Sequence, residues 1–355
     1  MNRHDKFLAD RCIPSEETGH SKPWDRRDFL AGIAAVAGSA GLFGLNPGVA
    51  AAEPPPETTR LRLTATPAIC LAPQYVAEAL LKAEGFTDVQ YVKLDNTRPN
   101  QRLSAGEADI SMDAVWPFMS RVDAGDPLLA LTGIHLGCYE LVGTERVRAI
   151  RDLKGKIVPV LELGGPEHMF LSSMAAYVGL DPHKDIRWVE RAPDESMRLL
   201  AEGKVDALLA FPPQPQELRA KGIGHVVVNT ATDKPWSQYY CCILVGNRDF
   251  VRKHPVATKR AVRAILKAAD LCVQEPERAA RIVVEKGFAS HYDYALQTLK
   301  DVPYNAWRTY DLEDTLRFYA VRLHEVGMIK SSPQKLIARG TDWRFLNELK
   351  KELKA

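Results

Sequence analysis

The side chains best suited to binding chemistry lie in short loops that follow predicted strands. Asp113 ends a predicted buried strand, where a carboxylate needs a partner, either a local amide or a ligand amine. Glu167 opens a predicted helix behind Gly164 and Gly165, whose backbone N–H groups could approach a ligand closely. Two plainer explanations stay open: Glu167 complements the helix dipole, and the two glycines form a tight turn. Both carboxylates favour a ligand that carries nitrogen or a positive charge.

Aromatic and histidine side chains occupy the same group of loops. The aromatic residues that could stack on a flat ring or surround a cation are Tyr75, Trp116, Phe211, Trp236 and Tyr239. For any single one of them, ordinary core packing is the more common role. His135 and His168 could donate to a ligand carbonyl, and the alternative for each is a structural role. The other candidate contacts in these loops are Pro67, Cys70, Leu71 and Tyr139.

The candidate loops contain no familiar catalytic or metal motif. The sequence has no serine nucleophile elbow, no H-E-x-x-H and no glycine loop that cradles phosphate, so we expect neither an enzyme, nor a cofactor, nor a metal site. Six cysteines occur without C-x-x-C spacing. Cys241 and Cys242 are neighbours on a predicted strand, so their side chains should point to opposite faces. Buried free thiols are expected, while a disulfide such as Cys70–Cys138, or one involving Cys272, stays open.

Alternating strands and helices position these loops. Predicted strands at 61–66, 89–94, 109–113, 128–134 and 139–143 alternate with helices at 73–83, 100–105 and 116–123. The same alternation restarts at 156, with strands at 157–161, 186–189, 205–211, 226–229 and 240–245, and the chain from 249 onward is almost entirely helical. This pattern predicts an α/β protein with parallel or mixed sheets and helices on both faces. Ligands of open α/β sheets bind beyond the carboxyl ends of the strands, where the candidate loops lie.

Two segments of the chain resemble each other, LSAGEADI at 103–110 and LAEGKVDA at 200–207. In each, a helix end is followed by glycine, a charged residue and an aspartate that leads into a buried strand. The repeat predicts two similar lobes, with coincidence as the alternative, because such junctions are common in α/β proteins. We assign 59–148 to the first part of lobe I, 149–243 to lobe II, and 244–355 to the return to lobe I and its C-terminal helices. Hinges are expected near 144–156 and near 240–247.

Residues 1–52 are typical of an export signal. Arg26 and Arg27 precede a short apolar run that ends near residue 45, and three alanines end at Ala52. The arginine pair resembles the twin-arginine signal, although Asp25 and Ala31 depart from its usual pattern. The run is shorter than the ~20 apolar residues of a membrane-spanning helix, so cleavage after Ala52 is favoured over a retained anchor. We expect a periplasmic protein. Its formal net charge of +2 gives no electrostatic case for binding nucleic acid.

Several stretches, in this order, resemble the solute-binding proteins of import systems for nitrate, taurine, aliphatic sulfonates and thiamine-precursor pyrimidines, the sulfonate-binding and THI5-like family. They are LAPQYVAE at 71–78, LSAGEADI at 103–110, IRDLKGK at 150–156, GGPEH at 164–168, LAEGKVDA at 200–207 and NRDFVRKHP at 247–255. The resemblance runs from residue 60 to residue 287. It implies a two-lobed periplasmic-binding-protein fold of type II, which closes around its ligand and hands it unchanged to a membrane permease.

The chain departs from the anion binders of this family at GGPEH. Sulfonate binders tend to carry Ser or Thr hydroxyls there, whereas Glu167 would repel an oxyanion and Pro166 lacks an N–H donor. We therefore expect the solute-binding component of an ABC importer, with a small, flat, nitrogen-containing or cationic ligand, pyrimidine-like rather than a sulfonate. Expected partners are this ligand, an inner-membrane ABC permease and the twin-arginine export machinery, and the protein is expected to be a monomer. Two alternatives stay open: a THI5-like pyrimidine-forming or other cofactor-dependent enzyme on the same fold, and a sensory binding module.

Overall fold

A computed structural model describes residues 53–95 and 98–354, so the predicted export signal at 1–52 and its cleavage site lie outside the described residues. The strands, in chain order, are β1 (Arg60–Ala65), β2 (Asp88–Lys93), β3 (Ile110–Ala114), β4 (Leu128–Leu136), β5 (Glu140–Gly143), β6 (Ile157–Val160), β7 (Arg187–Glu190), β8 (Ala207–Ala210), β9 (His225–Asn229) and β10 (Tyr240–Asn247).

Helices occupy most of the connections between strands, and the chain after β10 is mostly helical. They are α1 (Ala72–Val76), α2 (Glu78–Ala83), α3 (Pro99–Ser104), α4 (Val115–Ala124), α5 (Pro166–Tyr177), α6 (Pro182–Asp185), α7 (Pro193–Ala201), α8 (Gln214–Ala220), α9 (Arg248–Lys253), α10 (Pro255–Gln274), α11 (Pro276–Glu285), α12 (Tyr292–Asp301), α13 (Leu312–Glu325), α14 (Pro333–Gly340) and α15 (Arg344–Glu352). Most of them begin with proline at the first helical position or one residue later, where its missing N–H costs no helical hydrogen bond. The predicted helix at 73–83 is divided at Ala77 into α1 and α2.

The strands form two groups with the same plan. In the first group, β1 pairs in parallel with β2, and β10 runs antiparallel between β3 and β4. In the second group, β6 pairs in parallel with β7, and β5 runs antiparallel between β8 and β9. The chain passes from the first group to the second through residues 137–139 and returns through residues 230–239.

The chain crosses between the strand groups at 137–139 and 230–239, whereas the expected lobe ranges change at 148/149 and 243/244. β5 pairs within the second group, although the range assigned to the first part of lobe I extends to 148. β5 follows β4 after only a few residues, so sequence order alone gave no sign of the change of sheet. The returning segment also ends before the expected hinge at 240–247, because β10 is already paired in the first group over that whole range. The division of the chain into lobes with those ranges stays a prediction.

The two similar sequence segments make matching contacts. The carboxylate of Asp109 accepts a hydrogen bond from the backbone N–H of Arg62 (2.8 Å) and pairs with the guanidinium of the same residue (2.6 Å). The Asp109 N–H in turn donates to the Arg62 carbonyl (2.8 Å). Asp206 exchanges the same backbone bonds with Ile157 (2.8 and 2.9 Å), and its guanidinium partner is Arg146. Each aspartate therefore fastens the beginning of one strand, β1 or β6.

Buried apolar surface holds the strand groups and the helices together. β4 and β10 are buried along their whole length, and α10 buries Val262, Ile265 and Leu266 at the spacing of one helix face. A smaller second core, which includes Val142 and Leu208, lies within the second strand group. None of the helices in the described ranges has both the length and the apolar character needed to cross a membrane.

Candidate functional site

A cavity of about 480 Å³ is lined by loops from both strand groups. The first group contributes the loop after β1, the segment before α3 and the end of β3, and the second contributes the loop after β6, the start of α5 and the loop after β8. The predicted contacts that line this cavity are Pro67, Cys70, Leu71, Asp113, Tyr139, Glu167 and Phe211. The cavity thus lies beyond the carboxyl ends of β1, β3, β6 and β8, as the open-sheet rule predicts.

Asp113 lines this cavity and, within the described part of the chain, has one carboxylate oxygen without a partner. Its side chain is buried at the end of β3, and Oδ1 accepts a hydrogen bond from the Ala114 N–H (2.7 Å). Oδ2 has no hydrogen-bond partner among the residues that the structure describes. Burial raises the pKa of Asp113 to about 7, against smaller opposing effects of the Ala114 N–H, the Arg98 charge and the Asn100 N–H. An ordinary surface aspartate would have no such energetic need for a partner.

Glu167 lines the same cavity from the second strand group. It lies in the first turn of α5 and is buried, and its Oε2 lacks a hydrogen-bond partner in the described part of the chain. Burial raises its pKa, while its own backbone N–H and the charge of Arg98 act in the opposite direction. The helix dipole therefore accounts for part of its position and leaves one oxygen unused.

Arg98 and Glu162 connect the two sides of the cavity. The Arg98 guanidinium donates to Glu162 Oε1 through Nε (2.7 Å) and Nη2 (2.5 Å), and both residues line the cavity. Sequence analysis did not select either residue. Arg98 precedes Pro99 at the start of α3, in the connection after β2, and Glu162 directly follows β6, so both lie in loops beyond strand ends. The lining therefore carries three carboxylates and one guanidinium.

Two aromatic rings line the cavity: Tyr139 lies in the first crossing between the strand groups, and Phe211 follows β8. Tyr139 and Phe211 lie 6.0 Å apart between ring centroids, with their planes inclined at 50°. Phe211 is half-buried, and its position is fixed by a hydrogen bond from its N–H to Gln214 Oε1 (3.2 Å). A flat ligand in this cavity would contact these two rings rather than the larger aromatic set that the sequence suggested.

Three predicted aromatic contacts are packed in the core instead. Trp116 is fully buried and stacks on Phe170, with 4.0 Å between ring centroids. Trp236 is also buried and packs edge-on against Phe170. The Tyr75 hydroxyl accepts a hydrogen bond from the Thr66 N–H (2.9 Å) and donates to the Thr66 carbonyl, so it shapes the loop after β1 from behind. Stacked and edge-on ring pairs of this kind bury a large apolar area, which explains why these rings lie in the core.

The other predicted contacts lie beside the cavity or away from it. His168 accepts a hydrogen bond at Nδ1 from the Gly164 N–H (2.9 Å), and burial lowers its pKa to about 4, so it holds the loop before α5 as a neutral ring. The Gly165 N–H donates to the Glu162 carbonyl (3.2 Å), which forms the tight turn that was the plainer explanation. Tyr239 stacks on Phe318 (3.8 Å between centroids) and lines a separate surface groove along α13.

His135 and the cysteines form a buried group next to the cavity. Cys138 Sγ lies 3.3 Å from Cys241 Sγ, and Cys241 Sγ lies 3.8 Å from Cys242 Sγ. The expectation that Cys241 and Cys242 point to opposite faces is wrong, because the pairing of β10 with β4 is irregular on both sides of Cys242. The cysteines in the described ranges are free. Residues of this group could hold a metal ion, in contrast to the expectation of no metal site.

A family model described as NMT1/THI5 like matches residues 71–279. The bicarbonate-binding protein CmpA of Synechococcus elongatus is 28% identical over 112 residues, which are 31% of this chain. The matched part is 24% of that protein, so this chain spans about a quarter of the length of the curated relative.

Solved structures show the fold. The alkanesulfonate-binding protein SsuA of Xanthomonas axonopodis pv. citri, bound to MOPS, superimposes with a TM-score of 0.67 at 17% identity, covering 81% of this chain and 99% of that one. The periplasmic nitrate-binding protein NrtA of Synechocystis gives a TM-score of 0.68 at 15% identity, covering 85% and 90%. These likenesses confirm the predicted fold class, a periplasmic-binding-protein fold with mixed sheets and a helical C-terminal region.

Proposed function

Because the chain belongs to the NMT1/THI5-like family, whose model matches residues 71–279, we propose that it is the solute-binding component of an ABC importer. In this proposal the protein works in the periplasm after export by the twin-arginine machinery and cleavage after Ala52. It binds a small, flat, nitrogen-containing or cationic ligand and delivers it unchanged to a membrane permease. The similar proteins are named as binders of bicarbonate, nitrate and alkanesulfonate, which supports a solute-binding role. Because the named solutes differ, they do not identify the ligand of this chain.

The observation that carries the ligand class is a pair of buried carboxylate oxygens without partners. Asp113 Oδ2 and Glu167 Oε2 belong to residues that line the same cavity, and neither is hydrogen-bonded within the described ranges. A buried, unpaired polar atom costs about 1–3 kcal/mol, and a ligand N–H that donates to it recovers that cost. An oxyanion would instead meet these two carboxylates in the lining. The cavity therefore suits amines, amidines and heteroaromatic rings with N–H groups.

The ring-shaped part of the ligand is assigned to Tyr139 and Phe211. Both rings line the cavity, and the pairing of an apolar ring face with a charged hydrogen-bond acceptor is how small-molecule sites combine affinity with orientation. Asp113 and Glu167 come from different strand groups, so a ligand that binds both stabilises the arrangement in which the groups are close together. The Arg98–Glu162 ion pair also joins the two strand groups at this site and so stabilises the same arrangement.

A ligand screen by thermal unfolding tests this proposal. Pyrimidines, primary amines, alkanesulfonates and nitrate are each added to the purified chain, because a ligand that binds only the folded state adds about 2.7 kcal/mol of stability at one hundred times its Kd. We expect a rise in Tm with a pyrimidine or an amine and none with a sulfonate or nitrate.

Matched variants locate the effect. Asp113→Asn and Glu167→Gln keep side-chain size and remove the charge, so each should weaken binding of the identified ligand by about tenfold or more, the loss of one charge-assisted hydrogen bond. Glu145→Gln, an exposed carboxylate, is the control and should bind normally. A strong Tm rise with sulfonate or nitrate, or unchanged affinity in both cavity variants, would show that the ligand class is wrong.

A further inference from the structure

Four thiols and one imidazole from separate points of the chain meet beside the cavity floor. This Cys/His cluster consists of Cys70, His135, Cys138, Cys241 and Cys242, all of which are buried. The possible ligand atoms of Cys70, His135 and Cys138 lie within 4.8 Å of one another, and so do those of His135, Cys241 and Cys242. His135 belongs to both triplets. Cys70 and Cys242 also line the cavity.

The sulfur positions match the needs of a tetrahedral metal ion more closely than those of a disulfide. Two thiolates bound at about 2.3 Å to one tetrahedral ion lie about 3.8 Å apart. Cys241 Sγ and Cys242 Sγ are separated by 3.8 Å, and Cys138 Sγ and Cys241 Sγ by 3.3 Å. Both separations are well beyond the S–S bond length of about 2.05 Å. Small side-chain rotations would bring such sulfurs to one common ion.

His135 is oriented as a ligand. Its Nδ1 lies 2.6 Å from the Leu136 carbonyl oxygen, so Nδ1 carries the proton and donates a hydrogen bond to this oxygen. The other ring nitrogen, Nε2, is then free to bind a metal ion. This Nε2 is buried and has no hydrogen-bond partner in the described parts of the chain. A backbone carbonyl that fixes the other ring nitrogen is the usual support of a metal-bound histidine. The fully buried ring of Tyr304 packs edge-on against His135 at 5.3 Å, and its hydroxyl also lacks a partner among the residues described.

We propose that the Cys/His cluster binds one thiophilic divalent metal ion, and that zinc is the ion it fits best. Thiolate and imidazole ligands select zinc over calcium or magnesium, and buried zinc sites are commonly four-coordinate with three cysteines and one histidine. Each triplet supplies two thiolates and one imidazole, whose charge a divalent ion cancels, and a further thiol of the cluster completes the tetrahedron. This site goes beyond the proposed solute-binding function, because it uses neither of the cavity carboxylates.

Metal binding at this cluster replaces protons. When zinc binds, each ligating thiol, and any imidazolium, gives its proton to solvent, and no electron is transferred.

Metal analysis of the full chain tests the proposal. The protein is expressed with supplemented zinc and purified under reducing conditions, its metal content is measured, and the metal-free form is titrated with Co²⁺. We expect one zinc per chain, and with Co²⁺ the thiolate charge-transfer and tetrahedral ligand-field absorption bands. Cys138→Ser and His135→Asn should each weaken metal binding more than tenfold, with Cys70→Ser as a further ligand variant at the cavity edge. Circular dichroism confirms that each variant is folded.

Cys272→Ser is the matched control, because Cys272 is an equally buried thiol on α10 outside both triplets. This variant should bind zinc as the unaltered protein does. The proposal is overturned if the reduced, folded protein binds neither zinc nor cobalt. It is also overturned if metal analysis finds two iron atoms per chain or copper without zinc, or if Cys272→Ser lowers metal binding as much as the cluster variants do. A Cys138–Cys241 disulfide in protein isolated without reductant would overturn it too. The ligand screen is read separately, through Asp113→Asn and Glu167→Gln, so failure of the metal proposal and failure of the proposed function can be told apart.

Discussion

The charge on Asp113 should make the unliganded protein less stable as the pH rises, and Asp113→Asn should remove that effect. Burial raises the pKa of this carboxyl from 3.8 to about 7 in the folded chain. Between these values the folded state keeps a proton that the unfolded state has released, so the free energy of unfolding falls as the pH rises. The penalty is absent below about pH 4 and complete above about pH 7.

The size of the effect follows from the shift in pKa. At 1.36 kcal/mol for each pKa unit, the complete penalty is about 4 kcal/mol, of which about 2.5 kcal/mol develops between pH values of about 5 and about 8. Asparagine keeps the acceptor for the Ala114 N–H and carries no charge, so its own cost is the same at both pH values. The comparison of the two proteins at two pH values therefore isolates the charge.

The assay is denaturant unfolding of ligand-free wild type, Asp113→Asn and the control Asp88→Asn, whose carboxylate is exposed on β2. From the lower to the higher pH, wild type should lose about 2.5 kcal/mol more than Asp113→Asn, while Asp88→Asn should behave as wild type. An equal pH dependence in wild type and Asp113→Asn would refute the reasoning, because the carboxylate would then be solvated or paired in the folded state.

Trp116→Ala should destabilise the fold by about 3–5 kcal/mol through loss of a fully buried ring, and the folded fraction should still bind ligand; loss of binding with unchanged stability would place Trp116 in the cavity instead. Gly137→Ala should destabilise by about 3 kcal/mol or abolish folding, since its Cβ would lie 2.1 Å from the Thr230 carbonyl oxygen at the first crossing between strand groups; an unchanged unfolding midpoint would contradict that close approach. Tyr75→Phe leaves the Thr66 N–H without its partner and should cost about 1–3 kcal/mol, measured by urea unfolding, whereas no change would mean that water replaces the hydroxyl.

Local sequence patterns predicted where most strands and helices lie, but not which strands pair with each other. Strand and helix positions follow from the spacing of apolar residues and from glycine at helix ends, so β3 and α4 lie within one residue of their predicted bounds. The pairing of β10 between β3 and β4 joins residues more than a hundred positions apart, such as Cys242 and Ala114. No local pattern encodes that partnership, and the same holds for the assignment of β5 to the second strand group.

Some residues of the candidate site could likewise be predicted from the sequence, and others could not. Asp113 could be selected from the sequence because a carboxylate at the end of a buried strand needs a partner, and Glu167 because it opens a helix behind two glycines in a loop after a strand. Trp116 could not be separated from cavity-lining aromatics, because core packing and ligand stacking draw on the same apolar surface. The Cys/His cluster depends on an irregularity in β10 beside Cys242, and sequence spacing alone does not reveal such a bulge.

The paired aspartates, Asp109 and Asp206, have a consequence for how the protein can change over evolution. Each fastens the strand start, the end of β1 or β6 opposite to the cavity, through bonds contained within its own half of the chain. Substitutions in the loops at the far strand ends therefore leave these anchors intact. A scaffold secured at one edge and free to vary at the other can acquire new ligands without losing its architecture.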